Sequence, residues 1–394
     1  MSENQAYISK VHLKGYKSVK DLEIDINSGL NIVIGANGSG KTNFVEFFNT
    51  IITDIVTLAP DEFEATVELN YNGKIYIDFY KGYFDENHKS GNPAFMVNRK
   101  ILNGSVLKLD SFIGIDEKYE FEKVDVKRDI NTEDKDALSI LKAIKYLTFI
   151  NPFKQPLFNN IKIQITIGKK TKKILSTFPD DFNTKFYSYF RKKLVVFEDI
   201  AEFISSNPFD EQFVNYLNNY TPIKDIRIQN ELIRQYEDNG KIILDNIFIQ
   251  FKVNDKWLYW EQLSDGTRRL FYIFFSILNS NSKLIFLEEP ELGIHPHQLS
   301  RLMDFLREQS RSKQIIISTH SPQVLNELKE DELDRIIVTR YEGAERGTQM
   351  YHLSEEEKGY ALDYMKNGAF LSDYWVQSGF MKEEEEGILC NESV

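Results

Sequence analysis

The spacing of hydrophobic positions changes along the chain and separates strand-like from helix-like stretches. Apolar residues that alternate with polar ones predict strands at residues 7–13, 21–26 and 30–34. From Thr42 the apolar positions recur every three or four residues, which indicates an amphipathic helix. Residues 64–69 and 74–80 flank Asn72 and Gly73, a pair that tolerates positive φ, so they predict a β-hairpin.

After residue 241 strands and helices alternate regularly. Strands are predicted at residues 242–253, 257–260, 284–287, 314–318 and 335–339, and helices at 267–278, 296–309 and 322–328. This alternation predicts an α/β fold with a mixed or mostly parallel sheet flanked by helices. The predicted domains are an N-terminal lobe (1–100), an inserted, mostly helical subdomain (101–240), a C-terminal lobe (241–380) and a disordered acidic tail (381–394).

Composition narrows the class of protein. The chain has 394 residues, of which 42% are apolar and 27% charged, as is typical of soluble globular proteins. It contains neither an apolar run long enough to span a bilayer nor the apolar core of a signal peptide, so no membrane partner is predicted. The single cysteine, Cys390, excludes an intrachain disulfide, and a cytoplasmic location is expected.

Charge is distributed unevenly. The net charge is −12, which argues against a protein that coats DNA over its whole surface. Between Lys142 and Lys193, however, twelve Lys or Arg residues accompany two acidic residues, a local balance of +10. Two interpretations stay open: a patch that steers a nucleic acid to one face, and an ordinary solvated surface.

A glycine-rich loop lies between a predicted strand and a predicted helix. Residues 35–42 read GANGSGKT and match the phosphate-binding pattern G-x-x-x-x-G-K-[ST]. In such a loop the backbone N–H groups and the helix N-terminus bind phosphates. Lys41 would contact the β- and γ-phosphates of ATP, and the Thr42 hydroxyl would ligate Mg²⁺. The predicted nucleotide contacts in this segment are Asn37, Gly38, Ser39, Gly40, Lys41, Thr42 and Asn43.

A pair of acids ends a predicted buried strand in the segment LIFLEEPE. Ligands of open α/β folds bind at the carboxyl edge of the sheet, where such a strand would deliver Glu288 and Glu289. Glu288 is predicted to hold Mg²⁺, directly or through water. Glu289 is predicted to be catalytic, as the general base that deprotonates the attacking water.

Two further segments point to the same chemistry. LSDGT precedes a helix, where Ser264 can act as the N-cap and where Ser264, Asp265 and Gly266 would form a second anion site. Two anion sites at opposite ends of a domain can share one γ-phosphate only if two chains pack head to tail. His320, in STHSP, follows a predicted strand and is predicted to be a catalytic contact to the γ-phosphate.

These segments, in this order, resemble those of the ATP-binding-cassette (ABC) ATPases. ISKVHLKGYKSVKDLEIDINSGLNIVIGANGSGKTNFVE, LSDGTRRL, FLEEPELGIHPHQL and IIISTHSPQVLNEL resemble the branch that contains RecF, SMC and the overcoming-lysogenization-defect ATPases. GTQMYHLSEEE and LSDYWVQSG are similar to the end of its small bacterial members, which include ATPase subunits of anti-phage systems such as Septu or PARIS. The resemblance covers roughly residues 7–80 and 240–380.

The resemblance implies an ABC-ATPase head that acts as a homodimer or a higher oligomer, with ATP and Mg²⁺ between the subunits. A Q-loop glutamine normally contacts Mg²⁺, and Gln155 is the candidate. Glu288 stands where many relatives have Asp, and Asp265 where transporters have Gly. No coiled-coil arm is evident and no nuclease domain follows residue 380, so a separately encoded nuclease or toxin is expected as the effector partner.

Four functions are compatible with this sequence. The leading hypothesis is the regulatory ATPase of a bacterial anti-phage system. The alternative is a DNA-repair ATPase similar to RecF, in which the basic stretch binds DNA. A transporter motor fits poorly, since the phosphate loop and the signature segment LSDGT (residues 263–267) are farther apart in the sequence than a transporter needs. A scaffold that barely hydrolyses ATP fits poorly as well, because both acids are present. The insert at 101–240 is predicted to mediate assembly or to contact DNA or a partner.

Overall fold

A computed structural model describes most of the chain. The described residues are 6–52, 62–71, 74–85, 94–103, 105–114, 127–129, 148–150, 162–168, 171–176, 209–229, 234–238, 241–280, 282–378 and 380. The chain divides into two compact units. The first comprises Met1–Ile150, Asn281–Glu291 and Leu306–Val394, and the second comprises Asn151–Ser280 and Leu292–Phe305.

The strands and helices follow in chain order. The strands are β1 (Ala6–Tyr16), β2 (Val19–Asp25), β3 (Leu30–Ile34), β4 (Phe63–Tyr71), β5 (Lys74–Asp85), β6 (Ala94–Asn103), β7 (Ser105–Gly114), β8 (Lys127–Asp129), β9 (Thr148–Ile150), β10 (Lys162–Gly168), β11 (Thr171–Ser176), β12 (Ile223–Gln229), β13 (Arg234–Asp238), β14 (Lys241–Val253), β15 (Lys256–Tyr259), β16 (Leu284–Glu288), β17 (Gln314–Thr319), β18 (Ile336–Tyr341) and β19 (Thr348–His352). The α-helices are α1 (Lys41–Ile52), α2 (Glu211–Tyr220), α3 (Asp265–Leu278), α4 (Pro296–Ser310), α5 (Gly343–Arg346), α6 (Glu355–Lys366) and α7 (Leu371–Ser378). Short 3-10 helices occupy Trp260–Gln262, Pro322–Glu327 and Glu330–Arg335.

The first unit contains the sheet that the alternation of strands and helices predicts. Its strand order is β19-β18-β3-β17-β16-β9. All neighbours pair in parallel except β18 and β19, which pair antiparallel. Strand β3 is buried along its whole length, as expected for a strand covered on both faces. The predicted α/β class with a mixed sheet is confirmed.

A second sheet of the first unit is antiparallel, with the order β2-β1-β4-β5-β6-β7-β8. The alternating pattern that predicts β1 and β2 appears as alternating burial along both strands. The predicted hairpin forms between β4 and β5, which pair from Phe63 opposite Gly82 to Tyr71 opposite Lys74. Its turn residues, Asn72 and Gly73, lie outside the described residues.

Helix α1 packs between these two sheets through its phenylalanines. The rings of Phe48 and Phe286, the latter on β16, are stacked with centroids 4.7 Å apart. Phe47 contacts Tyr16 on β1 and Phe63 on β4 edge to face, at 5.5 and 6.0 Å. Because the helix begins at the phosphate loop, this buried aromatic cluster fixes the loop relative to both sheets.

The second unit has its own sheet and core. Strands β11-β10-β14-β12 lie in this order, and β13 and β15 also pair with β14. Helix α3 buries Phe271 against Trp260 and against Phe251 of β14, with ring centroids 5.5 and 5.1 Å apart. Phe274 stacks on Phe305 of α4 at 3.9 Å. This aromatic packing supports the helix that follows LSDGT.

Expectations for the middle and the end of the chain differ from the structure in part or fall outside the described residues. The described part of residues 101–240 is mostly strand, and the predicted helical character is observed at α2. The first unit extends past the predicted boundary at residue 100, because β7 and β8 continue the antiparallel sheet. The helix predicted at 322–328 is a 3-10 helix over Pro322–Glu327. The tail at 381–394 lies outside the described residues. In the described ranges, no helix is long and apolar enough to cross a bilayer.

Candidate functional site

The strand order of the parallel sheet brings three predicted motifs to one edge. The phosphate loop follows β3, His320 follows β17, and Glu288 and Glu289 lie at the end of β16. Strand β17 lies between β3 and β16, and all three run parallel. Their carboxyl ends therefore meet at the same edge, which is where ligands bind in open α/β sheets.

The phosphate loop adopts a backbone that requires glycine at one position in particular. Gly38 and Gly40 have φ values of +81° and +99°, in the left-handed region. A Cβ built on Gly40 would lie 1.9 Å from Oγ1 of Thr348, whereas one on Gly38 would meet no atom of the described residues within 4 Å. Gly40 is therefore constrained by its conformation and by close packing, and Gly38 by its conformation alone.

A hydroxyl network that sequence reasoning missed supports the back of this loop. The Thr348 hydroxyl donates to the Ser39 carbonyl oxygen at 3.0 Å and lies 2.8 Å from the Ser18 hydroxyl. The Asn43 side-chain amide donates to Ser18 Oγ at 2.6 Å. Within one peptide unit C=O and N–H point in opposite directions, so holding the Ser39 carbonyl fixes the direction of the Gly40 N–H. No sequence spacing connects Thr348 to Ser39, and the pairing depends on the tertiary fold.

Lys41 occupies the loop as a buried ammonium. Its Nζ donates to the carbonyl oxygens of Gly35 and Ala36 at 2.7 and 2.9 Å. Burial lowers the pKa of Lys41, while the nearby carboxylates of Glu289 and Glu291 oppose this shift. The buried hydroxyl of Ser39 has no hydrogen-bond partner in the described part of the chain. The loop therefore suits a polyphosphate ligand. It offers a buried cation, a hydroxyl free to bond a phosphate oxygen, and the N-terminus of a helix.

Glu289 and His320 form a direct pair across the two strands. His320 Nδ1 lies 2.8 Å from Glu289 Oε1, and the proton position depends on the histidine tautomer. Glu289 has a φ of +42°, an unfavourable conformation for a residue other than glycine. Its backbone N–H donates to the Ser318 carbonyl oxygen at 2.7 Å, which holds the turn in place. The two residues predicted to be catalytic are thus in contact.

The residues predicted to ligate Mg²⁺ are Thr42, Glu288 and Gln155. Thr42 is the second residue of α1 and is exposed, and Glu288 is half-buried at the end of β16. The described residues contain no cluster of three or more His, Cys, Asp or Glu side chains that would hold a metal alone. Mg²⁺ in such sites takes only one or two protein carboxylates and relies on substrate phosphates and water, so these donors fit it. Gln155 lies outside the described residues.

A third carboxylate, Glu291, belongs to this edge and was not singled out from the sequence. It is only 7% exposed and accepts a hydrogen bond from the Thr319 hydroxyl at Oε1. Burial raises the pKa of Glu291, and the hydrogen bond from Thr319 opposes this shift. The segment LEEPE shows a third acid, but the local pattern does not predict that a residue three positions past the strand is buried.

The signature segment lies in the second unit. Ser264 is the N-cap of α3, as predicted, and its Oγ accepts from the Thr267 N–H at 3.3 Å. Asp265 is largely exposed and pairs with Arg268 at 2.5 Å. A Cβ on Gly266 would approach the Gly293 carbonyl oxygen to 2.7 Å, so close packing requires glycine there. The segment presents a capped helix N-terminus with an exposed acidic side chain.

Comparison with known proteins identifies the family. A family model described as "AAA domain, putative AbiEii toxin, Type IV TA system" matches residues 30–326, which include the phosphate loop, the signature segment, the acids after β16 and His320. The chain belongs to this AAA-domain family. The predicted membership in the ABC-type ATPases of the RecF and SMC branch is confirmed.

Relatives of this AAA-domain chain include proteins of chromosome maintenance. It is 31% identical over 84 residues to the DNA replication and repair protein RecF of Cytophaga hutchinsonii, covering 21% of each chain. It is 35% identical over 69 residues to the chromosome partition protein Smc of Methanocaldococcus jannaschii, covering 17% of this chain and 6% of that protein. The matched segment thus spans about a fifth or less of either relative.

A solved structure supports the same fold. An SMC head bound to the C-winged helix domain of ScpA is similar with a TM-score of 0.51 and 17% identity, covering 89% of this chain and 99% of that chain. At this identity the likeness shows the fold, which is that of an SMC-type ATPase head. ATP binding and hydrolysis are general properties of the family.

Proposed function

We propose that this chain binds ATP with Mg²⁺ and hydrolyses it to ADP and phosphate. The observation that carries the proposal is the meeting of the Lys41 loop with the Glu289–His320 pair at adjacent strand ends. Nucleotide would lie along residues 37–43, with Lys41 moving from the loop carbonyls to the β- and γ-phosphates.

In the proposed mechanism the groups of the site act on the water, the metal ion and the phosphates. Glu289 removes a proton from the attacking water, and His320 holds the Glu289 carboxylate in position and contacts the γ-phosphate. Thr42, Glu288 and Gln155 would hold Mg²⁺, which neutralises charge on the phosphate oxygens when bound. The Gly40 N–H, directed by the Thr348 contact to Ser39, adds a fixed donor to the phosphates.

We propose further that the signature completes the site from a second copy. Ser264, Asp265 and Gly266 lie in the second unit at the N-terminus of α3, where a capped helix end suits an anion. The other groups of the site that the structure describes belong to the first unit. A head-to-tail homodimer would bring the signature of one chain to the phosphate loop of the other.

Two variants test the ATPase proposal. Hydrogen bonds to charged groups contribute about 1.5–3 kcal/mol, so Lys41→Ala should weaken ATP affinity by roughly 10- to 150-fold.

Glu289→Gln should keep ATP affinity and lower kcat by about 10²- to 10⁴-fold, the usual contribution of a general base. Affinity is measured with a fluorescent ATP analogue, turnover by phosphate release and folding by thermal melting. Normal turnover in a folded Glu289→Gln protein would exclude Glu289 as the base.

We propose a role in anti-phage defence, with a separately encoded nuclease or toxin as effector. The support is the similarity of residues 347–379 to the ends of small bacterial ATPases of such systems. Cells that carry the chain and its neighbouring gene should survive phage challenge, and cells with Lys41→Ala should not. Equal plating of phage on both strains would contradict this role.

A DNA-repair role is the second candidate. The balance of +10 between Lys142 and Lys193 favours it, as does the similarity to a RecF described as a replication and repair protein. Most of this stretch, including its cluster at residues 191–193, lies outside the described residues. The candidate predicts ATP-dependent DNA binding whose affinity falls steeply with salt. Absence of binding at low salt would remove this candidate and leave the ATPase proposal intact.

A further inference from the structure

The Glu291 carboxylate is placed where it can control the geometry of His320. Glu291 lies two residues past Glu289, and its partner Thr319 is the residue directly before His320. Thr319 is fully buried and Glu291 is 7% exposed. The hydrogen bond between them therefore joins two turns: the one after β16, which carries Glu289, and the one after β17, which carries His320. Both partners of this bond are shielded from water.

Thr319 shapes the backbone on both sides of the histidine. Its Oγ1 accepts from the Ser321 N–H at 2.9 Å, which closes a turn with His320 at its centre. The hydroxyl carries one proton, and Glu291 Oε1 is the strong acceptor for it. The Ser321 carbonyl oxygen is a longer alternative at 3.4 Å. Removing the carboxylate would release the hydroxyl to rotate and would loosen the turn.

The second carboxylate oxygen of Glu291 is buried at a cost in folding free energy. Oε2 is buried and has no hydrogen-bond partner in the residues that the structure describes. An unsatisfied buried oxygen costs free energy, and an apolar side chain at this position would avoid that cost. Burial also raises the pKa of the Glu291 carboxyl, with the negative Glu289 acting in the same direction. A role in the site explains the presence of an acid here.

We propose that Glu291 is a positioning residue: through Thr319 it holds the turn at His320 and keeps the His320 ring on the Glu289 carboxylate. The effect of this arrangement on turnover rests on the proposed ATPase function. The arrangement itself exists without nucleotide, so it can be tested independently of turnover.

Matched substitutions separate the hydrogen bond from general packing. Glu291→Leu removes the acceptor and Thr319→Val removes the hydroxyl with almost no change of shape, whereas Glu291→Gln and Thr319→Ser keep the bond. Thr339→Val serves as a control, because Thr339 on β18 is also buried and its hydroxyl has no partner in the described residues. The ring signals of His320 are recorded by NMR in the nucleotide-free protein and assigned with His320→Ala.

The expected result is a common effect of the two disruptive changes. Glu291→Leu and Thr319→Val should each shift the His320 ring signals and lower kcat by roughly 10- to 100-fold, as is usual for a residue that orients a functional group. Affinity for a fluorescent ATP analogue should stay unchanged. Glu291→Gln, Thr319→Ser and Thr339→Val should leave the His320 signals in place. The double variant Glu291→Leu/Thr319→Val should be no worse than either single variant, because both break one interaction.

Two results would overturn the inference. One is an unmoved His320 signal in both Glu291→Leu and Thr319→Val. The other is a fall of kcat in the double variant that equals the product of the falls in the two single variants. If the wild-type chain fails to hydrolyse ATP while the His320 signals shift as expected, the ATPase proposal fails and the positioning of His320 stands. Thr319→Val keeps the test decisive if Glu291→Leu does not fold.

Discussion

At the scale of single residues, the site depends on side chains held in costly environments. Glu289 has a left-handed backbone, Lys41 is a buried cation, and Glu291 is a buried acid with one oxygen that has no hydrogen-bond partner among the described residues. Each arrangement lowers the free energy of unfolding. Each lies at the edge of the sheet where β3, β17 and β16 end. Such concentrated strain and burial are typical of functional sites.

The raised pKa of Glu291 predicts a pH dependence of stability. Burial holds the folded-state pKa of Glu291 above 4.5, the usual value for a glutamate. The stability that Glu291 contributes is therefore fully present below pH 4.5 and is lost as pH rises through the folded-state pKa. Glu291→Gln does not titrate. The free energy of unfolding of Glu291→Gln should therefore improve relative to wild type as pH rises from below 4.5 to neutral. Denaturant unfolding of both proteins measures this difference, and a difference independent of pH would contradict the prediction.

At the scale of elements, the phosphate loop predicts different outcomes for its two left-handed glycines. Gly38→Ala introduces only backbone strain, about 1–3 kcal/mol, because a methyl group there meets nothing within 4 Å. Gly40→Ala adds a collision with Thr348. We expect Gly40→Ala to lower the melting temperature and the ATP affinity more than Gly38→Ala does.

The control for both substitutions is Gly359→Ala in helix α6. This glycine has an ordinary φ and open space around it. Alanine should stabilise the helix by roughly 0.5–1 kcal/mol without changing ATP affinity. Equal effects of Gly38→Ala and Gly40→Ala would show that Thr348 does not confine the loop.

A buried ion pair connects α4 to the 3-10 helix Glu330–Arg335. Arg307 Nε lies 2.9 Å from Glu332 Oε2, and Glu332 is 3% exposed. Arg307→Ala would leave a buried carboxylate without its main partner, and we expect a loss of about 3–5 kcal/mol in unfolding free energy. The exposed pair Lys81–Glu64 is the comparison, and Lys81→Ala should cost less than about 1 kcal/mol. Similar losses for the two variants in denaturant unfolding would contradict this account.

At the scale of the whole molecule, the proposed shared site predicts a dimer that depends on ATP. Glu289→Gln should bind ATP without hydrolysing it and should double its mass in light scattering with ATP and Mg²⁺. The same protein with ADP should remain monomeric. Adding Lys41→Ala should abolish the dimer, and adding Ser264→Ala should weaken it, because Ser264 caps the helix that meets the partner's phosphates. A monomeric Glu289→Gln in ATP and Mg²⁺ would refute the shared site.

The sequence alone determined the parts of this protein that depend on local order. The spacing of apolar residues located β3, α1 and β16 within a residue or two, and GANGSGKT located the phosphate loop between the first two. These predictions hold because periodicity and turn chemistry act over a few residues. The middle of the chain, where apolar spacing is irregular, was predicted mostly helical, and its described part is mostly strand.

Only the tertiary structure decided which distant residues meet. The strand order β3-β17-β16 put His320 onto Glu289, buried Glu291 against Thr319, and set Thr348 behind Gly40. These partners are separated by up to several hundred positions, and no local pattern encodes them. Sheet order and close packing are properties of the whole core, so the supports of the site emerge only when the chain is folded.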